Sequence, residues 1–140
     1  MTSVQASDVV RSYLDAWLAG DLGAVLEHYH SDLELVWPGS HPLAGHHVGG
    51  EASLGVLLRL GELMARVPVK VTGIFDGPGS VIASVIERWS DGDQVMELSR
   101  ALQFEVVDGL LRSCTVFDAE PDKVDEWISH RTGEDAAANG

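Results

Sequence analysis

Cysteine is almost missing from this sequence: Cys114 stands alone among 140 residues, so no internal disulfide can form. Its position inside the apolar run Leu110–Asp118 reads as that of a small buried hydrophobe. Basic side chains are scarce too, 9 against 22 acids, for a formal net charge of −13. A phosphate backbone is gripped by Lys and Arg that displace its counterions, so nucleic acid is not an expected partner. No apolar stretch approaches the ~20 residues that cross a bilayer, and no basic segment leads into an apolar core at the N-terminus. No membrane partner is therefore expected, and the cytoplasm is the default compartment. The histidines form neither a His-Glu-x-x-His helix nor a set with paired cysteines, so no metal is expected. Gly49-Gly50 has no strand leading into it and no lysine after it, which excludes a phosphate loop and leaves no expected cofactor.

What is present is an ordinary globular composition, with 45% hydrophobic and 22% charged residues, enough for one core without metal or disulfide support. We read a single domain over 1–140, its core about 7–130 and its polar tail 131–140. Val9, Val10, Tyr13, Leu14, Trp17 and Leu18 recur at helical spacing, ended by Gly20 and capped by Ser3 or Ser7. Asp21 caps a shorter helix whose Leu22, Val25, Leu26 and Tyr29 share a face. Leu33 to Trp37 alternates like a strand, Pro38 to Gly50 is a loop, and Ala52 to Arg66 is a third helix closed by Pro68.

Beyond it the period changes to two. Val69 to Phe75, Val81 to Trp89, Met96 to Val107 and Leu110 to Asp118 are separated by Asp-Gly turn chemistry and form a meander. A short helix, Pro121 to Ser129, follows. Helices first and an antiparallel sheet second is an α+β arrangement, and a curved sheet wrapped over helices leaves a cone open at one end.

Side chains two apart share a strand face, so Met96, Leu98, Arg100, Leu102, Phe104 and Val106 look inward. In the run Val81 to Trp89 both faces carry apolar residues, and Arg88 is read as a second inward arginine. The apolar outer face suggests a homodimer through the outside of the sheet. Asp118 ends an apolar run where a hydrophobe is the usual residue, and its place beside Cys114 and Val116 marks it as a candidate acid/base. His41, His46 and His47 lie in a glycine- and proline-rich loop, where binding groups concentrate. His46 is read as loop surface.

The loop-to-helix stretch from Pro38 through His41, His46 and His47 to Ala52, together with Val116-Phe117-Asp118 before a helix, resembles the SnoaL-like branch of the nuclear transport factor 2 superfamily. That group also holds ketosteroid isomerases and limonene epoxide hydrolase. The resemblance runs from Val9 to about Ile128. It implies a cone-shaped fold, in which a curved, mostly antiparallel sheet wraps three N-terminal helices around an apolar pocket and a short C-terminal helix follows.

By the same resemblance Asp118 is the general acid/base of a cofactor-independent cyclase or isomerase acting on a polyketide-, steroid- or terpenoid-like carbonyl compound. Arg88, Arg100 or His41 would steady the developing oxyanion. Tyr13, Trp17, Trp37, His47, Leu57, Met64, Arg100, Leu102 and Phe104 would bind the substrate. A non-catalytic binding protein for an apolar small molecule is the alternative. A further one is epoxide hydrolysis, whose Arg-x-Asp pair meets Arg88 but finds Ser90 in place of the acid.

Overall fold

A computed structural model describes residues 5–139, with side chains through residue 132. The helices are α1 Ala6–Leu18, α2 Leu22–Glu27, α3 Gly50–Leu63 and α4 Pro121–Asn139. The strands are β1 Tyr29–Trp37, β2 Gly45–Val48, β3 Ala65–Gly77, β4 Ser80–Ser90, β5 Val95–Val107 and β6 Leu110–Asp118. They form one curved open sheet in the order β2-β1-β6-β5-β4-β3, antiparallel throughout except where β1 runs parallel to β6. The expected α+β architecture is the observed one.

Two register shifts between β3 and β4, at Pro68/Lys70 and Val71/Gly73, bend these long strands. Pro68 sits where proline is tolerated in a sheet, on the edge strand β3 and beside a register shift. The concave side closes on α1, which packs against β3, β4, β5 and β6, and on α3, which lies on β1 and β2. Gly50 makes the second contact close: a Cβ there would lie 2.7 Å from the Ser31 carbonyl oxygen. Asp108 and Gly109, both at positive φ, form the tight turn that fixes the β5–β6 register.

Several boundaries differ from the sequence reading. The third helix stops at Leu63 rather than Arg66, and β3 begins at Ala65, because Arg66 and Val67 pair with Trp89 and Arg88 across the ladder. His46 and His47 lie in β2, not a loop, paired with Val36 and Leu35. The short apolar content of Gly45–Val48 gave no period to detect. The last helix continues to Asn139, through a segment with no proline and three consecutive alanines. Asp21 caps α2 as expected, accepting from the Ala24 N–H at 3.1 Å. At α1 the N-cap is Gln5 and Ser7 lies inside the helix, while Ser3 is outside the described residues.

The inward set of β5 is Leu98, Arg100, Leu102 and Phe104, as alternation predicts. On β4 the buried set is Val81, Ala83, Val85, Glu87 and Trp89, which sends Arg88 to the outer face. That outer face exposes Val67, Val69, Phe75, Ile82, Val107 and Phe117. No described helix is long and apolar enough to cross a membrane.

Candidate functional site

Between the inner face of the sheet and α1, α2 and α3 lies a cavity of about 220 Å³. Most of its wall is apolar: Trp17 from α1, Val25 from α2, Leu57 and Leu60 from α3, and Leu35, Leu102 and Val116 from the sheet. Its polar groups are Tyr13, Tyr29, Arg66, Glu87, Arg100 and Cys114.

Glu87 is fully buried, and alternation on β4 places it inward beside Trp89. Its Oε1 accepts from Arg66 Nε at 3.2 Å, Arg66 Nη2 at 2.9 Å and Trp89 Nε1 at 3.0 Å. Its Oε2 accepts from Arg100 Nη1 at 3.0 Å. Arg100 in turn donates from Nε to Asp118 Oδ1 at 2.8 Å, its direct cross-strand neighbour on β6. Arg100 Nη2 is also 2.8 Å from that oxygen but is not angled for a hydrogen bond. Trp37 Nε1 donates to Asp118 Oδ2 at 2.9 Å. The guanidinium of Arg100 lies 5.1 Å from the Trp37 ring centre and 5.2 Å from that of Trp89.

Arg66, Glu87, Arg100 and Asp118 thus form a row of alternating sign whose formal charges cancel. Burial pushes the Glu87 carboxyl up, but the Arg66 and Arg100 guanidiniums and the Trp89 N–H outweigh it and hold the group at about 2. Burial lowers Arg100, and the carboxylates of Glu87 and Asp118 reverse that, leaving it above its ordinary value.

Tyr13 and Tyr29 share a hydroxyl–hydroxyl hydrogen bond of 2.8 Å on the cavity wall, and burial raises both above the usual phenol range. Both stay protonated at neutral pH. One proton joins the two oxygens and the other remains for a further acceptor. Burial likewise pushes the Cys114 thiol up to about 12, so it lines the cavity as an inert thiol. Among the described residues no group of three or more His, Cys, Asp or Glu is arranged to hold a metal ion.

No family model matches the sequence, and neither does any curated protein. Solved structures do match it over most of its length. A protein of unknown function with a cystatin-like fold from Xanthomonas campestris superposes with a TM-score of 0.82 at 16% identity, covering 89% of this chain and 98% of that one. An NTF2-like protein from Burkholderia xenovorans has a TM-score of 0.66 at 20% identity, covering 84% and 92%. The chain has the NTF2-like fold. A provisionally assigned SnoaL-like polyketide cyclase from Mesorhizobium loti is similar as well, with a TM-score of 0.70 at 12% identity over 81% and 99% of the two chains.

In this NTF2-like cone, Tyr13, Trp17, Trp37, Leu57, Arg100 and Leu102 meet in the cavity wall. Asp118 is not among the lining residues; its side chain is 3% exposed and sits behind Arg100 and Trp37. His41 also lies off the wall. It is buried edge-on against Trp37, its Nδ1 accepting from the Leu43 N–H at 3.1 Å and its Nε2 without a partner. Burial lowers its pKa, so the ring is neutral. His47 bonds the Leu43 carbonyl oxygen at 2.9 Å. Met64 is core, and Phe104 lines a separate void of about 40 Å³ with Tyr13 and Tyr29.

Arg88 is the clear departure. Strand alternation puts it outside the cone, half-exposed and 3.2 Å from Glu97. The inward charges that sequence reasoning missed are Glu87 and Arg66. Glu87 had a signal, being the one charge in the otherwise apolar set Val81, Ala83, Val85 and Trp89.

Proposed function

We propose that the cone binds a small apolar molecule carrying a carbonyl oxygen. The supporting observation is the cavity's division of labour: an apolar wall, the Tyr13–Tyr29 hydroxyl pair, and carboxylates whose oxygens are all occupied by arginine and tryptophan donors. An acceptor oxygen is what such a lining lacks. The spare tyrosine proton serves it, and so does Arg66, whose Nη1 has no partner among the described residues. An engineered apolar cavity of about 150 Å³ holds benzene, so this one suits a core of on the order of eight to ten non-hydrogen atoms, a single ring or a compact terpenoid.

Titration with cyclohexanones and compact cyclic terpenoid ketones, followed by quenching of tryptophan fluorescence, tests this. Tyr13→Phe is expected to weaken binding about five- to tenfold by removing one hydrogen bond. If no such ketone quenches, the reading fails.

A second reading is catalysis of the isomerase or cyclase type, whose candidate base, Asp118, is held one hydrogen bond from the wall residues Arg100 and Trp37. For this the Trp37 side chain, which holds Asp118 Oδ2 and screens it from the cavity, would have to swing away, and the freed carboxylate would take a proton from the carbon alpha to the carbonyl while the electron pair moves onto oxygen, facing Arg100 or a tyrosine. Return of the proton at another carbon completes an isomerisation. Deuterium exchange into a bound ketone in D₂O separates the two readings. Catalysis predicts exchange faster than in buffer, abolished by Asp118→Asn with binding kept, and no acceleration leaves binding alone. The exposed outer face supports a homodimer as the working state, for which sedimentation at rising concentration is the test.

A further inference from the structure

The cavity does not end at the helices. Leu22 and Leu26 of α2 and Leu54 and Leu58 of α3 line it, yet Leu22 is 68%, Leu26 46% and Leu58 71% exposed. Leu22 with Leu26, and Leu54 with Leu58, are each four residues apart and so share one side of their helix. A single exposed leucine is ordinary on a protein surface. Leucines from two helices that are both cavity wall and outer surface make a continuous apolar track from the interior to solvent. Neither helix needs it for its own packing, since α2 buries Val25 and α3 buries Ser53, Val56 and Leu60.

Arg66, Glu87, Arg100 and Tyr29 reach the cavity from the sheet and Tyr13 from α1, whereas the leucine track comes from α2 and α3. A ligand whose oxygen is placed against Tyr13, Tyr29 or Arg66 therefore has its far end directed toward α2 and α3. With a net charge of −13, the chain gains nothing by laying this track on an anionic lipid surface.

We infer that the ligand is larger than the cavity: a ring bearing the carbonyl sits inside, and an alkyl or prenyl-like tail leaves between α2 and α3 over Leu22, Leu26, Leu54 and Leu58. This rests on the binding reading above and adds the tail to it. Head and tail are then recognised by different residues, the head by hydrogen bonds within the cone and the tail by leucines at its mouth.

A series of 4-propyl-, 4-pentyl-, 4-heptyl- and 4-nonylcyclohexanone, whose about ten or more non-hydrogen atoms carry the tail past the cavity, titrated calorimetrically beside cyclohexanone, reads the tail directly. Each added methylene is expected to tighten binding about two- to fourfold. In the Leu22→Gln, Leu58→Gln double variant the gain per methylene falls to nearly nothing while cyclohexanone itself binds as before. Both positions are exposed, and an unchanged thermal midpoint confirms that the variant folds. Gains that persist in the variant, or an affinity that does not rise with tail length in the parent, overturn the tail. A parent that binds no member of the series overturns the binding reading itself, and the two failures are distinct.

Discussion

Strands β4 and β5 carry the same ion-pair chemistry on both of their faces, through the adjacent β4 residues Glu87 and Arg88. Inside, Glu87 meets Arg100 with side chains 0% and 2% exposed; outside, Arg88 meets Glu97 with 50% and 55% exposed. The inner pair is also tied to Arg66, Asp118 and two tryptophans, whereas the outer one has a single contact of 3.2 Å. Water screens the outer pair and holds its members nearly as well when they part. No water replaces a lost partner inside. The face of the strand, not the chemistry of the pair, decides what each charge does for the fold.

Breaking the inner row is expected to have the largest effect. Glu87→Ala leaves the buried guanidinium of Arg100 and the part-buried one of Arg66 without their shared anion and should cost roughly 3–5 kcal/mol in urea unfolding. Acid sharpens the contrast next. The folded Glu87 titrates near 2 against an ordinary 4.5, so its contribution is complete above pH 4.5 and is lost as pH falls toward 2. That difference corresponds to about 3 kcal/mol, and Glu87→Gln, which cannot titrate, should flatten this part of the stability profile. A neutral bond in the same interior is worth less: Tyr13→Phe, breaking the hydroxyl pair, is expected to cost about 1 kcal/mol. Arg88→Ala marks the floor, a change under about 1 kcal/mol that vanishes in molar salt.

The sheet's order of runs, the Asp-Gly turns and the inward face of β5 were legible because each follows from a period or a turn rule that acts locally. The face of β4 was not. Its two alternating sets are both largely apolar, since the outer side of the sheet is apolar as well, and periodicity cannot choose between two hydrophobic faces. Arg66 was hidden differently. Helical spacing in α3 continues past Leu63, and only pairing with Trp89 across the ladder, invisible in a linear pattern, pulls the arginine into a strand. Asp118 was recognised as unusual from its neighbours, but its position behind Arg100 and Trp37 is set by residues 18 and 81 positions away.

The parallel contact between β1 and β6 links the first strand made to the last. Leu35 finds Cys114, and Val36 finds Thr115, only after everything between them has been synthesised. Closing so long a loop is entropically slow, and until it closes, the edge of β1 and the leucines around it stay bare. A nascent chain is thus committed late. Its hazardous interval lasts until residue 118 emerges, so the N-terminal half cannot complete the sheet early.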